Sequence, residues 1–248
     1  MADSPGFAYV QPRLQARYAA RPSDAEWRLL DASVDVEHYL QAARQTSLKP
    51  WMEHLGAETS ARDIEAVFRE EWAATVREAA RWPPAAWAPA VAWLRWLPWL
   101  PAIAHVGAGG TPLTWLRRDA RGTGDREAGS PATTPLRLPE ALSDAGPAPE
   151  SAWLDQWRQR LPDDGPWSEK LVALVEDHRE AMATAGIPGS TLRLALAEAL
   201  RRFFRRSAGG PGALFSWLLL AGADAERLRY GLLRLRLVPR LPEAASWD

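Results

Sequence analysis

The chain of 248 residues contains no cysteine and no asparagine, and it has only two lysines and three isoleucines. Without cysteine it forms no disulfide bond, has no thiol nucleophile, and cannot bind zinc or an iron–sulfur cluster through thiolates. Lys, Asn and Ile have A/T-rich codons, so their shortage indicates a GC-rich coding sequence. Arginine supplies 28 of the 30 basic residues. Codon bias explains most of this excess, so arginine content alone indicates no function.

Sequence signatures of catalysis and metal binding are also missing. The four histidines, His38, His54, His105 and His178, lie in four different predicted segments, and no two have the i, i+4 spacing of a helical metal site. No phosphate-binding glycine loop with its Lys-Ser/Thr ending occurs, and no Gly-x-Ser-x-Gly elbow occurs. The sequence does not exclude a Ser–His–Asp triad whose members come together only in the folded chain. The sequence otherwise predicts a non-catalytic protein without a metal or a cofactor.

The overall composition is that of a folded protein. Hydrophobic residues make up 47% of the chain and charged residues 25%, which excludes general disorder. The net charge of −1 argues against nucleic-acid binding by the whole surface. The first residues lack the basic patch and apolar run of a secretory signal. We therefore expect an intracellular protein.

The most apolar stretch, residues 85–106, is long enough to approach a membrane span. However, Arg95 lies at its centre, and Pro89, Pro98 and Pro101 interrupt it. A central arginine costs about 2.5 kcal/mol or more on insertion scales. The pattern predicts broken helices buried in a core, with contact to a membrane surface as the alternative. No transmembrane helix is expected.

Apolar residues recur at helical spacing over most of the chain, and no stretch alternates with a period of two, so the predicted fold is all-α. Ser60 with Asp63 resembles a capping box, and Pro83 ends the helix that follows. Further helices are predicted from Ser23 or Asp24, from about Val36, around Trp153 and Trp157, over residues 171–182, from Ser190 to about Arg206, and over residues 214–237, with a short one possible at residues 112–120.

Glycine, proline, serine and threonine are concentrated between residues 107 and 150. A connection of this length without regular structure is uncommon inside a compact domain. We therefore expect a helical block at residues 1–106, a linker or loop-rich insertion at residues 107–150, and a second helical block at residues 151–248.

Charge is unevenly distributed, because residues 193–248 carry ten basic and only five acidic side chains. Codon bias selects arginine over lysine, but it does not determine where acidic residues are absent. Arg201, Arg205, Arg227 and Arg234 are predicted to form an outward row that binds an acidic partner. The apolar residues of these helices should face inward: Leu194, Leu200, Phe204, Trp217, Leu228 and Leu232.

Two other interpretations of these arginines remain open. They could pair with the surplus acidic residues of positions 107–192 inside the same chain. Alternatively, Arg201, Arg202, Arg205 and Arg206 could contact nucleic acid, although no helix-turn-helix spacing accompanies them. We expect these arginines to bind a protein partner and no nucleic acid.

Four segments together resemble the central-stalk socket subunit of the V/A-type rotary ATPases, known as the C subunit in prokaryotes and the d subunit in eukaryotes. Residues 7–17 contain an aromatic start followed by spaced arginines, and residues 40–52 contain a leucine–threonine–aromatic pattern. Ile64 and Glu65 stand where the family has an Ile-Glu pair. Late in the chain, an aromatic-aliphatic helix at residues 214–220 is followed by residues 225–229, where the family has an acidic residue and an arginine pair. The chain is shorter than usual members and lacks the Asn-Leu-Lys that follows their first helical block.

The resemblance implies a non-catalytic socket of helices at the cytoplasmic face of the membrane, peripheral to it and not spanning it. In that family, the socket rests on the proteolipid ring and receives the central shaft of the proton- or sodium-translocating ATPase. The alternative is a soluble helical protein-interaction protein of unrelated function.

Overall fold

The computed structural model describes residues 6–111, 138–163, 165–184, 186 and 189–238. Within these ranges every regular element is an α-helix or a 3₁₀-helix, which confirms the all-α prediction. The short helix predicted at residues 112–120 lies outside the described residues, as does most of the predicted linker.

The helices are, in chain order, α1 Gln11–Ala19, α2 Asp24–Asp31, α3 Val36–Ala43, α4 Ala61–Ala79, α5 Ala88–Trp93, α6 Leu100–Gly107, α7 Glu140–Ser143, α8 Pro149–Arg158, α9 Pro166–Ala183, α10 Gly189–Arg206 and α11 Pro211–Leu237. In the described ranges, 3₁₀-helices lie between them at Lys49–Met52, Ala85–Trp87 and Leu94–Trp99.

Side-chain caps start several helices at the places the sequence indicates. The hydroxyl of Ser60 accepts a hydrogen bond from the backbone N–H of Asp63 at the start of α4. At the start of α2, Ser23 and Glu26 form a reciprocal capping box. Of the two residues predicted to cap α2, Ser23 is therefore the N-cap. Pro211 occupies the first turn of α11, where its missing N–H costs no helical hydrogen bond.

The tryptophan-rich stretch folds into short, broken helices, as predicted, with Pro89 and Pro101 in the first turns of α5 and α6 and Pro98 inside the 3₁₀-helix Leu94–Trp99. The 3₁₀-helix Ala85–Trp87, helix α5, the 3₁₀-helix Leu94–Trp99 and helix α6 follow one another directly. Trp87, Trp93, Trp96 and Trp99 are buried. None of the helices in the described residues combines the length and the apolarity that crossing a bilayer requires.

Helix α11 lies at the centre of the fold and packs against α1, α3, α4, α9 and α10. Its first half belongs to a large core that we call the tryptophan core, which contains Trp72, Trp96, Trp157 and Phe215. Its second half belongs to a smaller core with α2, α3 and α4, in which Trp27, Tyr39 and Leu228 are buried. Each core contains residues from both predicted helical blocks, so the two blocks share their hydrophobic interior.

Candidate protein-docking surfaces

The four arginines of the predicted row lie on two neighbouring helices, Arg201 and Arg205 on α10 and Arg227 and Arg234 on α11. The charges of Arg201 and Arg227 both act on the Asp224 carboxylate, and those of Arg227 and Arg234 both act on the hydroxyl of Tyr39. Arg227 is therefore close enough to influence the same groups as Arg201 and Arg234.

One carboxylate, that of Glu198, lies close to three arginines on α10. Glu198 lies 3.6 Å from Arg201, 3.5 Å from Arg202 and 3.9 Å from Arg205. The guanidinium of Arg205 also lies 3.5 Å from the hydroxyl of Tyr18 on α1. Because a single negative charge cannot neutralise three positive ones, this side of α10 keeps an excess of positive charge. The side chains of Arg202 and Arg205 are more than half exposed, at 53% and 57%.

The two row arginines on α11, Arg227 and Arg234, make closer contacts within the protein than the exposed arginines of α10 do. Arg227 forms an ion pair of 2.6 Å with Asp31 on α2, and its guanidinium lies over the ring of Trp27 at 4.4 Å. Arg234 is half-buried. In the part of the chain that the structure describes, Arg201 and Arg205 pair with Glu198 on α10, and Arg227 pairs with Asp31 on α2.

The inward face of this helix pair is nearly as predicted. Five of the six apolar residues are buried, namely Leu200, Phe204, Trp217, Leu228 and Leu232. The prediction for Leu194 is wrong, since its side chain is 55% exposed. Leu194 lies near the start of α10 beside Arg193, whose guanidinium packs over the exposed ring of Tyr230 at 5.4 Å. Among the described residues, none packs closely enough on Leu194 at this end of the helix pair to bury it.

A buried ion pair lies beneath the arginine row. Arg21 donates two hydrogen bonds to the carboxylate of Asp224, at 2.6 and 2.9 Å, and both side chains are close to nine-tenths buried. Burial raises the pKa of Asp224, and the hydrogen bonds and charge of Arg21, with the charges of Arg201 and Arg227, oppose that rise. Sequence reasoning missed this pair because 203 positions separate its members and neither lies in a recognisable motif.

A groove of about 950 Å³ lies between α4 and α11 in the described residues, and we call it the α4–α11 groove. Its apolar wall includes Trp51, Phe68, Trp72, Leu97 and Leu219. Its charged residues are Arg62, Glu65, Arg69, Glu226 and Arg229. The volume is at the upper end of the range for small-molecule sites.

Ion pairs link the charged side chains inside the groove. Arg229 forms ion pairs with Glu65 on α4 and with Glu226 one turn earlier on α11. Burial alone would lower the pKa of Arg229, but hydrogen bonds and charges from Glu226 and Glu65 raise it on balance. Arg69 lies 3.9 Å from Glu65 and 5.3 Å from the ring of Trp99. This network suits a structural role, because its carboxylates are committed to guanidinium groups.

No grouping of three or more His, Asp or Glu side chains in the described residues has the proximity a metal ion requires. The chain as a whole matches no known family, no curated protein and no solved structure.

Proposed function

We propose that the protein is a non-catalytic docking subunit whose α10–α11 side binds an acidic protein surface. On the resemblance of its sequence, the assembly is a V/A-type rotary ATPase. The chain would lie on the cytoplasmic face of the membrane, peripheral to it, with the proteolipid ring and the central shaft as its partners.

The excess of positive charge on α10 carries this proposal. Three arginines share Glu198, and two of them are more than half exposed. Exposed charges contribute little to stability, whereas they increase the rate and specificity of association with an oppositely charged surface. Three arginines of α10 that share one carboxylate among the described residues therefore suit the binding of a partner better than the stabilisation of the fold.

Residues from two segments of the resemblance meet in the α4–α11 groove. Glu65 comes from the Ile-Glu pair, and Glu226 and Arg229 come from the late acidic and arginine positions. These positions are more than 160 residues apart in the chain, yet Arg229 contacts both carboxylates. Two segments singled out only by sequence pattern thus form one structural feature.

A double charge reversal, Arg202→Glu with Arg205→Glu, tests the docking role. Tagged protein is recovered from native membranes at low and at high ionic strength, and the co-purified subunits are identified by mass spectrometry. We expect the unaltered chain to bring down shaft and ring subunits of a rotary ATPase, with less recovered at high salt. The double reversal should reduce recovery several-fold and change the melting temperature little.

Arg28→Glu with Arg77→Glu is the matched control, because both of these arginines are exposed and lie on other helices. This control should recover partners as the unaltered chain does. Undiminished recovery by the double reversal would contradict the docking surface. Recovery of an unrelated assembly, with no rotary ATPase subunit, would contradict the proposed complex.

A further inference from the structure

The α4–α11 groove begins where helix α11 ends. Arg236, in the last turn of α11, donates a hydrogen bond of 3.4 Å to the backbone carbonyl of Glu58, which precedes α4. Further from this end, Arg229 on α11 pairs with Glu65 on α4. The two helices are therefore antiparallel along the groove. Leu237, which lines the groove, marks the end that lies beside the start of α4.

The chain leaves α11 at this same end of the groove. Leu237 is the last helical residue, and Val238 has non-helical backbone angles, φ −128° and ψ 71°. Residue 239 is a proline, which lacks an N–H and disfavours helical backbone at the residue before it. The helix therefore cannot simply continue. Residues 239–248, which we call the 239–248 segment, follow Val238 from a point beside the groove.

The length of this segment matches the length of the groove. The groove-lining residues of α11 extend from Leu219 to Leu237. At about 1.5 Å per helical residue this distance is about 27 Å. An extended chain of the segment's length spans at most about 33–36 Å. The 239–248 segment is therefore long enough to turn back after Val238 and follow the groove from end to end.

The groove and the segment have opposite net charges. Three arginines and two glutamates line the groove, a net charge of +1 with His105 counted as neutral. Arg62, near the start of α4, is exposed and forms no ion pair within the described residues. The segment contains one arginine and two acidic residues, Glu243 and Asp248, a net charge of −1. Charge complementarity of this kind favours association.

The apolar residues of the segment suit the wall of the groove, which is formed largely by aromatic and aliphatic side chains. Leu241 and Trp247 are the large apolar residues of the segment, and Pro239 and Pro242 stand among them. Extended, proline-containing segments bind aromatic grooves well, because proline reduces the entropy that is lost on ordering. Tryptophan gains more than most side chains from such burial.

We propose that the 239–248 segment turns back and binds in the α4–α11 groove of its own chain, with Leu241 and Trp247 on the apolar wall and the acidic residues towards Arg62. Attachment at Val238 favours the segment over a second copy, because a short tether gives an effective concentration of about millimolar. None of the four arginines of the predicted row lines the groove, so this proposal does not depend on the docking role.

Photocross-linking of the full chain tests where the segment binds. Trp247→p-benzoylphenylalanine keeps an aromatic ring at this position and makes it photoreactive. After irradiation of dilute protein, peptide mass spectrometry identifies the labelled residues. We expect labels within the same chain on groove-lining residues of α4, α6 or the 3₁₀-helix Leu94–Trp99. The same group at Tyr9, which is 93% exposed and does not line the groove, is the matched control and should leave the groove unlabelled.

A charge swap tests the complementarity. Arg62→Glu changes the net charge of the groove to negative, and Glu243→Arg changes that of the segment to positive. Each change alone brings like charges together and should reduce labelling of the groove several-fold, whereas the two together should restore most of it. Arg28→Glu, at an exposed position outside the groove, is the control and should leave labelling unchanged.

The outcomes separate the possible occupants of the groove. Labels found only between two chains, as cross-linked dimers, would mean that a second copy supplies the segment and would overturn the proposal. Labels outside the groove, or none within the chain, would overturn it as well, and Leu241→p-benzoylphenylalanine repeats the test from the middle of the segment. Equal labelling by the single and double charge variants would contradict the pairing of the acidic residues with the groove.

Discussion

Arg21 and Asp224 form a charged pair that is almost removed from water. Asp224→Ala would leave the guanidinium of Arg21 buried without its carboxylate. Breaking a buried pair in this way costs about 3–5 kcal/mol of unfolding free energy. Urea denaturation followed by circular dichroism measures this loss.

The double variant Arg21→Met with Asp224→Leu provides the control. Removing both charges together avoids an unpaired buried ion, so most of the lost stability should return. A double variant as unstable as the single one would show that the pair does not act as a unit.

The capping box of α2 makes stability depend on acidity. Hydrogen bonds from the backbone and side chain of Ser23 hold the pKa of Glu26 below its ordinary value, against a small opposing effect of burial. Because the folded-state pKa lies below the unfolded one, this contribution is present at neutral pH and is lost as the pH falls through the lowered pKa. Glu26→Gln should therefore be less stable than the unaltered chain at neutral pH.

The measurement is the difference in unfolding free energy between the two chains along a pH series. We expect this difference to shrink towards acid pH. A difference that stays constant over the series would mean that the charge of Glu26 does not contribute to the cap.

At the scale of elements, two glycines inside α11 have different surroundings. A Cβ added at Gly231 would lie 2.3 Å from the hydroxyl oxygen of Tyr39 and 2.6 Å from its ring, which is far closer than atoms can approach. A Cβ at Gly222 would meet Trp72 at 3.4 Å, an ordinary contact. Alanine favours a helix interior over glycine by about 1 kcal/mol.

Gly222→Ala should therefore raise the melting temperature, and Gly231→Ala should lower it, although both substitutions are the same change in the same helix. Calorimetry of the two variants measures the effect. Tyr39→Leu added to Gly231→Ala should recover part of the loss if the ring causes it. Equal shifts for Gly222→Ala and Gly231→Ala would contradict the close approach of α3 to α11.

The helices themselves were largely predictable from local signals. Serine at an N-cap acts within a few residues, so α2 and α4 begin at the predicted positions, whereas α11 begins at Pro211, before its predicted start at residue 214. The exposure of Leu194 was not predictable, because it depends on which neighbouring elements reach the N-terminal end of α10. The close approach of Tyr39 to Gly231 likewise depends on packing between α3 and α11, which no local pattern encodes.

At the scale of the whole molecule, α11 links the predicted blocks through both cores. Leu214 and Leu218 pack in the tryptophan core, whereas Leu228 and Leu232 pack in the core formed with α2, α3 and α4. Fragments 1–106 and 151–248 made separately would each expose a large apolar surface. We expect each fragment alone to lack a cooperative unfolding transition.

Mixing the two fragments should restore a cooperative transition and the native tryptophan fluorescence, because the complementary surfaces can then pack. Analytical ultracentrifugation would show a one-to-one complex. Cooperative unfolding of either fragment alone would mean that the blocks fold independently.

The candidate sites were predictable only in part, because some of them depend on contacts between residues that are far apart in the chain. Arginine positions and local charge excess are properties of the sequence, so the row on α10 and α11 could be proposed in advance. The α4–α11 groove and the pairing of Arg21 with Asp224 bring together residues that are far apart in the chain. Their formation depends on tertiary packing that composition and spacing do not specify.

The indole rings of the tryptophan core have an optical consequence. Trp87, Trp167, Trp157 and Trp153 follow one another with centroid separations of 5.9, 6.1 and 6.2 Å. At such distances the electronic transitions of neighbouring rings couple, and excitation passes between them before it is emitted. The near-ultraviolet circular dichroism of the native protein should then show paired bands of opposite sign, and its fluorescence should be depolarised even in a rigid glass.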